Sequence, residues 1–227
     1  MWDLNLQSEV QVMDLDGSKI YQIDDVFAEP KKLERWLFNR LSFAVEGNPW
    51  YNNLTYFVKR RMTAFVDESA PLVTIAQHLC KQKLGNLGGF STNVESWVDC
   101  KYNTYDTHYF WPHLDWGYTC IVYFHDSNGT NLYHPDLKKE EWFKTLMEKP
   151  PEGKQPWIPK EKVTKLHTLE AKYNRMVLFD GKKFPHGCAV DNKDFFSETI
   201  HVAPDKSRNN LVFFYEDDTP NTENKKK

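Results

Sequence analysis

The sequence predicts a mainly β fold with N-terminal helices, in which the β part forms a double-stranded β-helix, or jelly roll. The first observation is a series of short runs rich in Val, Thr, Tyr, Phe and Trp that begins near residue 90. Turn residues separate these runs, and short strands at regular spacing are typical of a jelly-roll sandwich or barrel. The second observation is an aromatic content of 15%. Large aromatic rings bury much area per residue, so the chain can build a hydrophobic core. We therefore expect a cupin-like β core.

The chain begins with a predicted β-hairpin. Asp16 and Gly17 stand between two extended runs, Val10 to Met13 and Ile20 to Ile23. An Asp-Gly pair between such runs is a strong hairpin signal, because both residues tolerate the positive φ that a tight turn requires.

Two helices are expected after the hairpin. Pro30 opens the first, since its missing N–H costs nothing at the first helical position. The apolar residues of this helix fall on one stripe, at Leu33, Trp36, Leu37 and Leu41. The second helix is predicted from Pro71 to a C-terminal cap at Gly85. Together they make a helical layer over about residues 28–85.

The β core is expected over about residues 90–216, in one domain that spans 1–216. A helical insertion is predicted over about 135–160, because Asp136 to Lys149 carries apolar residues at helical spacing and two prolines follow it. The polar tail 217–227 is expected to be disordered. The predicted strands are 94–98, 100–105, 119–125, 130–134, 163–169, 175–180, 187–190, 197–202 and 209–215.

Composition excludes several classes of function. The 29 basic and 32 acidic side chains leave a net charge of −3, so no nucleic-acid partner is expected. No apolar run approaches the ~20 residues that span a bilayer, so no membrane segment is expected. The first residues lack the features of a signal peptide and the four cysteines are scattered, which favours a cytoplasmic protein with reduced thiols. The oligomeric state is left open.

Pro112-His113-Leu114-Asp115-Trp116 is the stretch that indicates chemistry. It precedes the apolar run 119–124, so we expect it at the start of a strand, where residues i and i+2 point to the same side. A third ligand would complete the two-histidine, one-carboxylate triad that suits non-haem iron(II) and leaves coordination positions open. His186 has the best context, because it follows the predicted strand 175–180 and a turn. A jelly roll brings such a strand beside His113.

Arg208 is the candidate anchor for a cosubstrate. A 2-oxo acid can supply the electrons that dioxygen activation needs, and its far carboxylate suits the planar fork of an arginine. Arg208 opens the last apolar run, 209–215, from which it could point inward.

These motifs resemble those of the iron(II)- and 2-oxoglutarate-dependent oxygenases of the prolyl-hydroxylase-like group, over about residues 97–215. His113, Asp115 and His186 match the iron ligands of that family, and Arg208 matches the residue that binds the distal carboxylate of 2-oxoglutarate. The run Gly129-Thr130-Asn131-Leu132-Tyr133 is similar to the hairpin that follows the first two ligands.

The resemblance implies the rest of the site and the reaction. Tyr123 lies in the run that matches the family's strand after the first two ligands. Either Tyr102 or Tyr105 lies where family members often place a tyrosine that forms a hydrogen bond to the cosubstrate. The implied reaction uses iron(II), 2-oxoglutarate and dioxygen to hydroxylate an unactivated C–H bond, and it releases succinate and carbon dioxide. The implied substrate is an amino acid, a peptide or a small molecule.

Several alternatives stay open. Arg208 lies farther from His186 than the family spacing, so Arg175 or Lys193 is the fallback cation. A cupin-like protein that binds zinc or manganese and acts as an isomerase or hydrolase is a second hypothesis, and a non-catalytic binding module is a third. The remaining histidines are expected on the surface or in loops: His78, His108, His125, His134, His167 and His201.

Overall fold

The computed structural model describes residues 3–40, 43–44, 57–63, 87–97, 112–115, 117–126, 129–135, 163–189 and 208–215. The described part is mostly antiparallel β-sheet, which confirms the predicted β character. Its elements are β1 (Val10–Leu15), β2 (Ser18–Ile23), α1 (Pro30–Arg40), β3 (Phe43–Ala44), β4 (Phe57–Thr63), β5 (Leu87–Trp97), β6 (Tyr118–Tyr123), β7 (Thr130–Pro135), β8 (Val163–Leu169), β9 (Arg175–Asp180), β10 (His186–Cys188) and β11 (Arg208–Tyr215).

The strands form two sheets. The large sheet has the order β1-β2-β9-β6-β11-β5-β4-β3, and the small sheet has the order β10-β7-β8. A bridge between His113 and His186 adds the segment before β6 to the edge of the small sheet. From β5 onward the chain therefore enters the large sheet with β5, β6, β9 and β11 and the small sheet with the His113 segment, β7, β8 and β10. This alternation is the one expected of a jelly roll.

The N-terminal hairpin and the first helix form where the sequence predicts them. β1 pairs with β2 through the turn at Asp16 and Gly17, whose φ angles of 51° and 72° are both positive. Such angles are those of the type I′ turn, whose twist matches the flanking strands. Pro30 begins α1, and the carbonyl of Glu29 accepts hydrogen bonds from the amides of Lys32 and Leu33. Leu33 is fully buried.

Strand alternation divides the core into two layers. On one face of the large sheet, Ile121 and Tyr123 of β6 point toward the small sheet and pack with Leu132. On the other face, Cys120 and Val122 pack under the N-terminal segment and helix α1. The inner layer between the two sheets is therefore the layer that the His113 segment closes at one end.

Two strands within 28–85 interrupt the helical layer that the sequence predicts there. β3 and β4 extend the large sheet beyond β5, because Phe43 pairs with Arg60 and Phe57 pairs with Trp97. Propensity alone does not reveal β4, since its centre is Lys59-Arg60-Arg61 and strand pairing with β5 decides its state. β5 also begins at residue 87, earlier than the predicted 94.

Several predicted features lie outside the described residues: the helix from Pro71 to Gly85, the insertion over 135–160 except its first residue, the strands 100–105 and 197–202, and the tail. No helix in the described ranges is long and apolar enough to cross a membrane. Of the described cysteines, Cys120 is buried and Cys188 is half-buried.

Candidate metal centre

His113 and His186 meet because two strand segments pair at this point. The amide of His113 donates to the carbonyl of His186 at 3.0 Å, and the amide of His186 donates to the carbonyl of His113 at 2.9 Å. Residues that exchange both backbone bonds stand directly opposite each other, with their side chains on the same face. The two imidazole rings accordingly lie 4.5 Å apart between centroids.

Asp115 is held beside this pair by the turn that follows β9. Its amide donates to the carbonyl of Gly181 at 2.9 Å, and the amide of Gly181 donates to the carbonyl of Gly117 at 3.0 Å. The carboxylate Oδ2 lies 3.1 Å from His186 Nε2, and Oδ1 lies 3.9 Å from His113 Nε2. One donor atom from each of the three residues lies within 4.8 Å of the others. The structure thus brings together the three residues that the sequence singles out.

The tautomer of His186 suits a metal ligand. Its Nδ1 lies 3.0 Å from the carbonyl oxygen of Phe184, and a carbonyl can only accept, so Nδ1 carries the proton. Nε2 then presents its lone pair toward the Asp115 carboxylate, which is also an acceptor. Two acceptors 3.1 Å apart require a cation between them, either a proton or a metal ion. Two ligand atoms at about 2.1 Å from one ion and at right angles are about 3 Å apart, so the spacing fits an ion.

The electrostatic setting keeps Asp115 ionised. Burial raises the pKa of this carboxyl, but His186, His113 and the hydroxyl of Thr119 together outweigh burial and hold the pKa well below its ordinary value. The site therefore offers a carboxylate and two imidazoles, with an apolar wall at Phe179, whose ring contacts the ring of His186 edge-on at 4.9 Å. This donor set is the facial triad typical of non-haem iron(II).

The triad is open on one side. The side chain of His113 is 38% exposed, whereas that of His186 is only 5% exposed. Of the two described histidines, His113 therefore lies on the exposed side of the triad, while His186 and its Phe184 partner lie on the buried side.

A row of polar groups lies deeper in the inner layer. The hydroxyls of Tyr123 and Thr130 are 2.7 Å apart, and His125 Nε2 lies 3.1 Å from Asn210 Oδ1. All four residues are buried. The sequence predicts His125 on the surface or in a loop. It follows β6 outside the strand, but a surface position is wrong, because His125 continues the inward alternation of β6 and its Nε2 lies against Asn210 of β11. The sequence carried this signal in the parity of 119, 121, 123 and 125.

The other predicted site residues have different outcomes. Tyr102, Tyr105 and Lys193 lie outside the described residues. Arg208 is the first residue of β11, where it pairs with Glu95 of β5, and its side chain is also outside the described set. Arg175, the fallback cation, is already bound: its Nε and one terminal nitrogen donate to both carboxylate oxygens of Asp24, at 2.6 and 3.1 Å.

Two further residues contact the triad although no sequence motif indicates them: Thr119 and Phe184. The Thr119 hydroxyl donates to Asp115 Oδ2 at 2.5 Å, and Phe184 contributes its main-chain carbonyl. Every residue has a main-chain carbonyl, so the identity of residue 184 could not have indicated this contact. Thr119 carries a weak signal, since it is the first inward position of β6 after Asp115.

Comparison with known proteins gives matches among solved structures only. A scan with protein-family models and a search of curated proteins both give no match. One similar structure is SnoN, a non-haem alpha-ketoglutarate-dependent epimerase from nogalamycin biosynthesis, with 12% identity, a TM-score of 0.49, and coverage of 87% of this chain and 78% of that one. Another is a prolyl-4-hydroxylase from Pseudomonas putida, with 10% identity, a TM-score of 0.40, and coverage of 87% and 91%.

Proposed function

We propose that this protein is an iron(II)- and 2-oxoglutarate-dependent oxygenase that hydroxylates an unactivated C–H bond. The observation that carries the proposal is the convergence of His113, Asp115 and His186 within 4.8 Å at one end of a jelly-roll core. Two imidazoles and one carboxylate leave coordination positions open for a chelating cosubstrate. Closed structural sites for zinc usually present four protein ligands instead.

The three residues would hold iron(II) through His113 Nε2, His186 Nε2 and the Asp115 carboxylate. When bound, iron and 2-oxoglutarate supply the activation of dioxygen that ends in hydroxylation and in release of succinate and carbon dioxide. The chain itself orients His186 through the Phe184 carbonyl and shields it with the Phe179 ring. Such outer partners fix ring orientation and increase ligand basicity.

Arg208 and Tyr123 are the proposed anchors of the distal carboxylate of 2-oxoglutarate. Position 208 has the same parity as Asn210 and Val212 of β11, and these two side chains are buried on the inner side of the large sheet. Tyr123 stands directly opposite Asn210 in the β6–β11 register. Arg175 is less suited to this role, because Asp24 already neutralises it.

The proposed substrate is an amino acid, a peptide or a small molecule that approaches from the exposed side of His113. The carboxylate at residue 115 supports hydroxylation, because an oxygenase of this type uses such a carboxylate as its third iron ligand. An isomerase or hydrolase with zinc or manganese would use the same three donors but would not need a 2-oxo acid.

The test is an anaerobic titration with iron(II) and 2-oxoglutarate, followed by visible absorption. We expect the weak charge-transfer band of the iron chelate to appear only when both are present. Succinate is the matched control ligand, since it lacks the keto oxygen and cannot form the chelate. Absence of the band, together with tight binding of zinc, would contradict the oxygenase proposal.

A further inference from the structure

The Asp115 carboxylate has a dedicated hydrogen-bond partner. The Thr119 hydroxyl donates to Oδ2 at 2.5 Å, which lies at the short end of the range for O–H···O⁻ bonds. Thr119 is only 1% exposed, so this bond is shielded from competing water. The same Oδ2 is the oxygen that lies 3.1 Å from His186 Nε2. One hydroxyl thus contacts the carboxylate oxygen at the centre of the site.

Gly181 leaves the space that this pair occupies. A Cβ atom at residue 181 would lie 2.3 Å from the Thr119 hydroxyl oxygen and 2.9 Å from Asp115 Cβ. A Cβ atom does not approach non-bonded heavy atoms this closely, so a side chain at 181 would have to displace Asp115, Thr119 or the nearby carbonyl of Gly117. Gly181 also accepts the hydrogen bond from the amide of Asp115. Gly181 therefore holds the backbone of Asp115, and Thr119 holds its carboxylate.

An unsupported carboxylate rotates freely about its last bond, because the χ2 torsion of aspartate is broad and roughly two-fold. Such a carboxylate can bind a metal ion through both oxygens and thereby occupy a position that a cosubstrate needs. A hydroxyl fixed on one oxygen opposes this rotation. The hydroxyl therefore affects the orientation of the Asp115 carboxylate and not whether the carboxylate is available as a ligand.

We infer that Thr119 is a positioning residue for the metal centre: its hydroxyl fixes the plane of the Asp115 carboxylate, and Gly181 provides the space for that bond. The inference rests on the proposed function, since it concerns the same three ligands. It predicts that removal of one buried hydroxyl, with no change in the ligands, weakens metal binding and changes the coordination of the ion.

The experiment compares Thr119→Val with Thr119→Ser in the full-length protein. Valine keeps the volume and the β-branch but loses the hydroxyl, whereas serine keeps the hydroxyl. Cobalt(II) is the probe, and its dissociation constant is measured by equilibrium dialysis under anaerobic conditions. We expect Thr119→Val to bind cobalt about 10- to 100-fold more weakly, as for other outer partners of metal ligands, and Thr119→Ser to bind like the wild type.

The visible d–d bands of cobalt(II) give a second readout that loss of stability alone does not move. We expect the band intensity of Thr119→Val, measured at saturating cobalt, to differ from that of the wild type, and Thr119→Ser to restore it. Thermal unfolding of the metal-free proteins checks the fold. If Thr119→Val does not unfold cooperatively, Thr119→Ala replaces it with the same expectation.

The outcomes separate the two proposals. Equal affinity and an unchanged cobalt spectrum in Thr119→Val would overturn the role of Thr119 while leaving the oxygenase proposal intact. A wild-type protein that binds no cobalt would overturn the metal centre, and with it both proposals. Weak binding in Thr119→Ser as well as in Thr119→Val would also overturn the inference, because the hydroxyl would then not be the group that matters.

Discussion

His186 shows at the scale of one residue how the site is built. Its backbone pairs with His113, its Nδ1 is bonded to the Phe184 carbonyl, and its Nε2 faces Asp115. Each of these contacts restricts the ring, so the direction of the lone pair is set before any ion binds. Preorganisation of this kind lowers the cost of binding a metal, because little ordering remains to be done.

Arg208 and Tyr123 give a prediction at the same scale. We expect Arg208→Ala to raise the dissociation constant of 2-oxoglutarate by about 10- to 100-fold, because an ion-paired hydrogen bond is lost, and Tyr123→Phe to raise it about fivefold, because a neutral one is lost. Calorimetry of the iron-loaded protein, without dioxygen, measures both. The affinity for iron should stay unchanged. An equal loss of iron and 2-oxoglutarate in Arg208→Ala would mean that the arginine is structural.

At the scale of elements, the turn between β9 and β10 organises the centre. Gly181 and Phe184 lie in this turn, and His186 follows it as the first residue of β10. The Gly181 carbonyl accepts from the Asp115 amide, and the Phe184 carbonyl accepts from His186 Nδ1. The tip of the β1–β2 hairpin lies against the same turn, where Lys183 donates to the carbonyl of Asp16. The hairpin therefore contacts the turn that precedes His186.

A second support lies at the opposite end of β9. Asp24, which follows β2, accepts hydrogen bonds from Arg175 and from Lys172, with Lys172 Nζ at 2.9 Å. The hydrogen bond from Arg175 is the largest effect, and it helps to lower the pKa of Asp24 to about 2 from 3.8. The ion pair joins the N-terminal segment to the β8–β9 turn.

This ion pair predicts a pH dependence of stability. A carboxyl whose pKa is lower in the folded state stabilises the fold above its ordinary pKa and loses that contribution as it is protonated. We expect Asp24→Asn to lower the free energy of unfolding by about 1–2 kcal/mol at pH 7, after allowance for partial exposure. The difference from the wild type should shrink between pH 4 and about pH 2. Urea unfolding across this range measures it, and a difference that does not vary with pH would contradict the ion pair's role.

The sequence predicted the elements whose own pattern is strong. β8 and β9 have the predicted bounds, because each is a run of strand-forming residues between turn signals. β4 was missed, since only its pairing with β5 makes a basic run extended. His125 is a related case: the alternation of β6 indicates an inward position, but its buried polar partner, Asn210, comes from β11, far along the chain. The local residue pattern is enough to predict β8 and β9, whereas the extended state of β4 and the burial of His125 depend on contacts with other strands.

At the scale of the whole molecule, two layers of buried side chains lie on opposite faces of the large sheet. The layer of Cys120, Val122 and Leu178 attaches the hairpin and helix α1 to the outside of the large sheet. The inner layer of Ile121, Tyr123 and Leu132 keeps the two sheets together. The three candidate metal ligands lie at the end of this inner layer, where the small sheet gains the His113 segment.

The most direct test of the central claim is anaerobic equilibrium dialysis against iron(II), with metal content measured per chain. We expect the wild type to hold one iron, His186→Ala and Asp115→Ala to hold none at the same free iron concentration, and His134→Ala, which changes an exposed histidine of β7, to bind like the wild type. A wild-type protein without iron, or iron that remains in His186→Ala, would contradict the assignment of His113, Asp115 and His186 as one metal centre.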